Sequence, residues 1–215
     1  MKCSTHMMTA GLLLALVATQ ALAGGSTTTP LTTRGADAEE VSFGDLTTDA
    51  LCFGAGATLA LAPAVAFKAG DIPAGEVTLN AVKGLLYEPD EKWAVLRLTG
   101  AQLRAALERS VSFAPTPRVF FLQVSGLKMV YDPGAPRGMR VKSITVGANK
   151  LSDTDTYEVT MPASLAQGGS GYFTIFGNAP TVRSGSEGLA ALIMRYVADQ
   201  GSVSYTGQGR IVVGR

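Results

Sequence analysis

The stretch WAVLRLTGAQLRAALERSV, residues 93–111, passes from one hydrophobic period to another without a break. Its first six residues alternate between two faces, which is typical of a β-strand. Thr99 follows directly and is a residue type that favours the start of a helix. Beyond it, apolar side chains recur at helical spacing, at Leu103, Leu107 and Val111. The stretch therefore predicts a strand that leads straight into a helix.

Helical and extended segments alternate along the rest of the chain. The sequence predicts a short helix with Asp45 as its cap, and a hairpin whose strands meet at Ser125 and Gly126. Further strands are predicted over residues 139–146, 156–162 and 209–214, and a helix over residues 188–200. This order predicts an α+β fold with a mixed, largely antiparallel sheet and flanking helices.

The first 23 residues have the features of a secretory signal peptide. Lys2 precedes the apolar run GLLLALVA, which is too short to span a bilayer, and Ala21, Leu22 and Ala23 form a cleavage motif. A retained membrane anchor is the alternative. We expect an exported protein, periplasmic or secreted, with no membrane span after cleavage. Residues 24–38 are small and polar and predict a flexible leader, followed by one globular domain at 39–215.

Cleavage after residue 23 would exclude several kinds of chemistry. The chain has 18 basic and 17 acidic residues, so loss of Lys2 makes the counts equal (18 − 1 = 17). A neutral chain lacks the net charge that favours binding to nucleic acid. The single histidine, His6, is lost as well, which excludes histidine-based catalytic triads and histidine-ligated zinc. We expect no metal, no catalytic residue and no cofactor in the mature chain.

Cys52 would then be the only cysteine, which excludes an intramolecular disulfide. Two roles are open for it, a packed core residue or a reactive thiol. Its apolar surroundings, DALCFGAG, favour packing.

The stretch LAQGGSGYFTIF, residues 165–176, could cradle a phosphate or make room for an aromatic ring. A Walker loop needs a lysine, and the chain has none after Lys150. A dinucleotide fingerprint needs a third glycine, where Thr174 stands. The sequence therefore argues against a phosphate cradle. An ordinary loop before aromatic core residues is the other interpretation.

Several blocks of sequence resemble the C-terminal domain of the 5'-nucleotidase and UDP-sugar hydrolase family. These blocks are LTGAQLRAALERSVS, FLQVSGLKMVYDPGAPRGMRVKSITV and YEVTMPASLAQGGSGYFTIF, with GDIPAGEVT and GQGRI in the expected order. The stretch EVSFGDLTTDAL resembles the family's opening Glu-x-x-x-Gly-Asn-Leu-x-x-Asp-Ala motif. The resemblance extends over nearly all of residues 40–211.

The resemblance implies a site that holds the nucleoside part of a substrate between two aromatic rings. The matching positions are Phe121, in the Phe-Leu-Gln-Val block, and Tyr172, after the glycines. Gly169 and Gly171 would let the chain turn so that Tyr172 stands opposite Phe121. Stacking contributes roughly 1 to 3 kcal/mol per base and tolerates many bases.

Two further ligand residues follow from the resemblance, and both depart from the family pattern. Lys68 lies near the arginine of the family's Asn-Gly-Gly-x-Arg segment, but it cannot bind phosphate in a bidentate manner. Asn178 lies near the family's ribose-binding aspartate and could hydrogen-bond a sugar. Ser170 replaces the aspartate of Gly-Gly-Asp-Gly.

Complete family members have a preceding metallophosphoesterase domain that carries out hydrolysis, and this sequence has no match to its histidine-containing motifs. Three hypotheses follow. The chain binds a nucleoside, nucleotide or similar flat ligand without hydrolysing it; or it completes a separate metallophosphoesterase; or its ligand site has decayed and it acts as a structural or interaction protein.

Overall fold

The structure, a computed structural model, describes residues 24–214. The predicted signal peptide, residues 1–23, lies outside the described residues. Helices and strands mix in a single α+β domain, as the sequence predicts. Six helices are found in the described residues, namely α1 (Ser42–Ala55), α2 (Leu79–Gly84), α3 (Gly100–Ser110), α4 (Ala163–Ala166), α5 (Phe173–Phe176) and α6 (Leu189–Gln200). None of them is long and apolar enough to cross a membrane.

The strands form four sheets, two of them small. Their bounds are β1 (Ser26–Thr27), β2 (Leu31–Thr32), β3 (Leu59–Pro63), β4 (Asp71–Ile72), β5 (Gly75–Glu76), β6 (Trp93–Thr99), β7 (Leu122–Ser125), β8 (Leu127–Tyr131), β9 (Val141–Val146), β10 (Asn149–Lys150), β11 (Thr156–Pro162), β12 (Thr181–Gly185), β13 (Ser202–Val203) and β14 (Ile211–Val213). The largest sheet has the order β12-β6-β11-β3-β7 and the next β10-β9-β8-β14.

The five-stranded sheet is built around β6, the strand on which the sequence prediction rests. It pairs antiparallel with β11 along its whole length and with β12 on its other edge. Only β11 and β3 run parallel in this sheet. The predicted helix follows at once as α3, and Thr99 and Gln102 cap it reciprocally through side chain and backbone. Its three predicted core residues are fully buried, namely Leu103, Leu107 and Val111.

Residues 24–38 are part of the fold, so the prediction of a flexible leader is wrong. Strand β1 lies between β5 and β13, and β2 pairs with β4. Leu31 is fully buried in the core. The leader is polar in sequence, yet its backbone pairs with strands that come from later in the chain. Local sequence patterns do not report such pairing.

Two local predictions also need correction. Asp45 does not cap α1, because the helix begins at Ser42 and its cap position is Val41. Strands β7 and β8 do not form a hairpin. Gly126, with φ of 76°, turns the chain between them from the five-stranded sheet into the four-stranded one. A side chain on Gly126 would collide with the Thr58 backbone, so close packing of the two sheets fixes this glycine.

Leu31→Ala should lower the free energy of unfolding by about 2–5 kcal/mol, because it opens a cavity beneath the leader. Chemical denaturation measures the change. Leu79→Ala, at an exposed leucine, is the matched control and should lower the free energy of unfolding far less. Equal, small losses at the two positions would show that the leader does not pack on the core.

Candidate functional site

The glycine-rich loop between α4 and α5 has a conformation that requires its glycines. Gly168 and Gly171 have φ of 89° and 79°, values that residues with a side chain rarely adopt. A Cβ on Gly168 would collide with the Cα atom of Phe173. Ser170, between them, also lies in the left-handed region, with φ of 56°. The loop is therefore fixed by close packing, and it turns Tyr172 towards the interior.

Tyr172 is fully buried, whereas the resemblance assigns its ring to a ligand. Its ring stacks on that of Phe176, with centroids 5.3 Å apart, and its hydroxyl donates to the Phe120 carbonyl oxygen at 2.7 Å. Burial raises the pKa of Tyr172 well above its usual range, so the hydroxyl keeps its proton. The neighbouring ring of Phe173 is exposed instead.

Phe121 is buried as well, with 2% of its surface exposed. Its carbonyl accepts from the backbone N–H of Ala64 at 2.8 Å, which holds the start of β7 against the end of β3. Tyr172 stacks on Phe176, and in residues 24–214 no aromatic contact joins the rings of Tyr172 and Phe121. The structure thus does not form the open clamp of Phe121 and Tyr172 that the resemblance implies, because both rings are used in the core.

Arg109, near the end of α3, contacts the loop and two aromatic rings. Its guanidinium carbon lies 4.5 Å from the centroid of the Phe120 ring and 5.1 Å from that of Tyr172. Its Nη2 atom donates to the carbonyl oxygen of Ser170 at 2.8 Å. A Cβ on Gly171 would collide with Nη2. Sequence reasoning missed Arg109, since helix periodicity gives no sign of its ring contacts.

Lys68 lies beside an exposed ring that the sequence analysis also missed. Its ammonium nitrogen is 5.6 Å from the centroid of the Tyr87 ring, and 59% of Tyr87 is exposed. Tyr87 lines two cavities of about 350 and 290 Å³. We call the surface formed by Lys68, Tyr87, Val65 and Val119 the Tyr87 face. Hydrogen bonding of the Val65 N–H to the Val119 carbonyl holds its two sides together.

The other predicted ligand residues occupy different places. Gly169 and Gly171 lie in the loop with Tyr172, whereas Asn178 is exposed on the turn after α5. Asn178 does not line either cavity next to Tyr87. Ser164, which packs against Gly169, does line the smaller one. The structure therefore brings Lys68 to the ring of Tyr87 and leaves Asn178 outside the two cavities that this ring lines.

A buried carboxylate, Asp45, lines another cavity, of about 490 Å³, which is formed partly by α1 and by residues 205–211. Asp45 is 1% exposed and neither of its carboxylate oxygens has a hydrogen-bond partner; the nearest cation, Nε of Arg210, is 3.4 Å from Oδ1. Burial raises the pKa of Asp45 to about 8, against the opposing effect of Arg210 and with a further contribution from Glu40. Asp45 stands where the family motif has a neutral asparagine.

No group of three or more His, Cys, Asp or Glu residues that could hold a metal occurs in residues 24–214. Cys52 is half-buried and packs against the core. Burial raises the pKa of its thiol to about 11, so at neutral pH the thiol is protonated and a poor nucleophile. This agrees with the packing role favoured by its sequence context.

Asp45→Asn should stabilise the protein increasingly as the pH rises. The folded state holds the Asp45 proton up to about pH 8, whereas the unfolded chain releases it above about pH 4. The native protein therefore loses stability across this interval, and asparagine removes the loss. At pH 8.5 we expect a gain of at least about 1 kcal/mol, or about 2–4 °C in Tm.

Thermal unfolding between pH 5 and 9 measures this effect, with the exposed Asp199→Asn as the control. An Asp45→Asn gain that is constant with pH, or a loss of stability at pH 8.5, would contradict a protonated Asp45.

Known proteins resemble this chain in sequence and in fold. A family model described as "5'-nucleotidase, C-terminal domain" matches residues 18–178. A snake venom 5'-nucleotidase of Naja atra is 33% identical over 126 residues, which are 55% of this chain and 24% of the relative. A 5'-nucleotidase-related protein of Glossina morsitans morsitans is 29% identical over 199 residues, 81% of this chain and 35% of the relative.

A solved structure extends the likeness to the fold. The 5'-nucleotidase precursor from Thermus thermophilus superposes with a TM-score of 0.80 at 30% identity, over 88% of this chain and 39% of that one. The chain thus spans between a quarter and two fifths of the length of these three proteins.

Proposed function

Because this chain belongs to the 5'-nucleotidase C-terminal domain family, we propose that it is an exported domain that binds a nucleoside or nucleotide without hydrolysing it. The family accounts for the class of ligand, and the Tyr87 face supplies a surface for it. The base lies on the ring of Tyr87, and the phosphate of a nucleotide lies against Lys68. Phe121, which the resemblance assigns to the base together with Tyr172, is buried behind this face, where its carbonyl accepts from the N–H of Ala64.

The exposed ring of Tyr87 with an ammonium group beside it is the observation that carries the proposal. The exposed ring of Tyr87 is a large flat surface at the edge of two cavities. Purines and pyrimidines all stack on such a ring, because every base has a flat aromatic face. Carboxylates line both cavities, Asp37 the larger one and Glu88 and Glu91 the smaller one. Lys68 is the cation of the Tyr87 face, so we propose that a phosphate lies against its ammonium group.

The lack of hydrolysis is proposed from the residues that two-metal chemistry needs. Such sites use carboxylate and histidine ligands for both metal ions. The chain has a single histidine, His6, in the predicted signal peptide. The relatives are longer proteins, of which this chain matches one part.

Export is proposed from the N-terminal sequence and from the relatives. The cleavage motif at Ala21 to Ala23 ends directly before Gly24, and β1 begins two residues later. The Naja atra relative is a venom protein by its name. We place the mature chain in the periplasm or outside the cell.

AMP should bind the mature protein and raise its Tm, because a ligand of the folded state alone shifts the unfolding equilibrium. Tyr87→Ala should weaken binding about tenfold or more through loss of stacking. Lys68→Ala should weaken AMP binding but leave adenosine binding nearly unchanged, since only AMP carries the phosphate. Isothermal titration calorimetry measures both affinities.

Two matched variants control for general effects on the surface. Met139→Ala removes another exposed apolar side chain, and Lys150→Ala removes an exposed lysine of β10 that is not part of the Tyr87 face. Both should bind AMP like the native protein. Native affinity in Tyr87→Ala, or no binding of AMP or adenosine by the native protein, would refute the proposed site.

A second candidate function is that the chain completes a separately encoded metallophosphoesterase. The observation in its favour is that two apolar side chains of the Tyr87 face, Val65 and Val119, are 43% and 59% exposed. In this case the domain would present its ligand to the partner's metal ions.

The purified protein with Mn²⁺ should release no phosphate from AMP, since it lacks histidine ligands in its mature form. Phosphate release by the protein alone would contradict the proposal of a non-hydrolytic domain. An increase in the phosphate release of an added metallophosphoesterase, abolished by Val119→Asp, would support the second candidate.

A further inference from the structure

We propose that the cavity of about 490 Å³ beside α1 binds the ammonium group of a small primary amine, with Asp45 and Glu40 as its acceptors. We call it the Asp45 cavity. None of the residues that line it lines the two cavities next to Tyr87. Amine binding here goes beyond the proposed function, and it does not depend on whether the Tyr87 face binds a nucleotide.

Three buried oxygen atoms at the Asp45 cavity have no hydrogen-bond donor in residues 24–214. They are both carboxylate oxygens of Asp45, a residue that is 1% exposed, and Oε1 of Glu40. The other oxygen of Glu40, Oε2, accepts from the backbone N–H of Ile211 at 2.8 Å. Buried acceptors without donors cost free energy, so these three atoms favour a ligand that brings donors.

A proton shared between the two carboxyl groups is the other explanation for these oxygens. Burial is the main cause that raises the pKa of Asp45, and hydrogen bonding to Glu40 contributes to the rise. The two groups therefore lie close enough to share a proton. One shared proton still leaves at least one of the three oxygens without a donor, whereas an ammonium group has three N–H donors and no acceptor.

The charges around the Asp45 cavity also favour a cation. Three acidic residues line it, and their exposure falls from Glu39 at the surface through Glu40 to the buried Asp45. Among the ion pairs of residues 24–214, none includes Glu39 or Glu40. Arg34 lines the cavity as well, but it pairs with Asp71 at 2.8 Å. The carboxylates of the cavity are thus left without matching positive charge.

A primary amine fits the Asp45 cavity better than a metal ion does. The Nε atom of Arg210 lies 3.4 Å from Oδ1 of Asp45 and would repel a divalent cation twice as strongly as a singly charged ammonium. Calcium also takes six to eight oxygen ligands, more than the free oxygens supply. The lining includes Gly207 and Gly209, whose lack of side chains leaves room for the carbon atoms of an amine.

Amine binding should depend on pH through Asp45, because the ammonium needs the ionised carboxylate and displaces its proton. Burial raises the pKa of Asp45 to about 8, opposed by Arg210 and assisted by Glu40 and Asp49. The other charged or titratable groups that line the cavity are Glu39, Arg34 and Tyr205. The apparent dissociation constant should therefore fall about tenfold from pH 6 to pH 7 and level off above about pH 8.5.

Methylammonium chloride tests the proposal at pH 8.5 in an amine-free buffer. Tetramethylammonium chloride, which has the charge but no N–H donor, and sodium chloride serve as controls at the same concentration. Methylammonium should raise the Tm of the protein by at least about 2 °C more than either control salt. Titration followed by NMR gives the dissociation constant at each pH, and the backbone amides of residues 39–45 and 205–211 should shift.

Asp45→Asn should abolish the methylammonium response, because the amide loses the charge and replaces an acceptor by a donor. Glu40→Gln should weaken methylammonium binding about tenfold or more. Asp199→Asn, at an exposed acid of α6, is the matched control and should respond like the native protein. A rise in Tm no larger than that of the control salts, or an unchanged response in folded Asp45→Asn or Glu40→Gln, would overturn the proposal, whatever the outcome with AMP.

Discussion

The ion pair between Arg210 and Asp49 joins the segment before β14 to helix α1, and through its neighbours it also reaches β7 and the leader. Both terminal guanidinium nitrogens of Arg210 lie 2.8 Å from the Asp49 carboxylate, and Nη1 also donates to the Val124 carbonyl of β7. Tyr205 donates to the same carboxylate, while its backbone N–H bonds to Thr29 in the leader. Removal of one partner would leave a largely buried charge uncompensated, so this contact ties leader, first helix and last strand together.

The candidate site depends on how this frame uses its aromatic residues. Tyr172 and Phe121 are drawn into the core, where packing with Phe176 and backbone hydrogen bonds hold them. Arg109 lies against the ring of Tyr172, and the rings that stay exposed to solvent include Tyr87 and Phe173. The two rings that the resemblance assigns to a base are thus part of the core, while the Tyr87 face has an exposed ring and a cation.

The α+β fold was predictable because its main elements are strongly periodic, as in β6 and α3, and because the family resemblance covers several blocks in order. Membership in the family is confirmed by the match over residues 18–178. The order of the leader was not predictable, since its strands pair with residues up to 176 positions away. The contacts of Arg109 and Tyr87 were not predictable either, because cation–π contacts between distant segments leave no local sequence pattern. The resemblance assigns the Tyr172 ring to a ligand, but close packing of the glycine-rich loop turns it inward.

A crystal structure of the mature protein with bound AMP tests the central claim most directly. We expect the adenine ring stacked on Tyr87 and the phosphate within hydrogen-bonding distance of the Lys68 ammonium. Arg109 should remain beside Phe120 and Tyr172. A base stacked between those two rings with Arg109 displaced, or a Tyr87 face that stays empty at saturating AMP, would contradict the account.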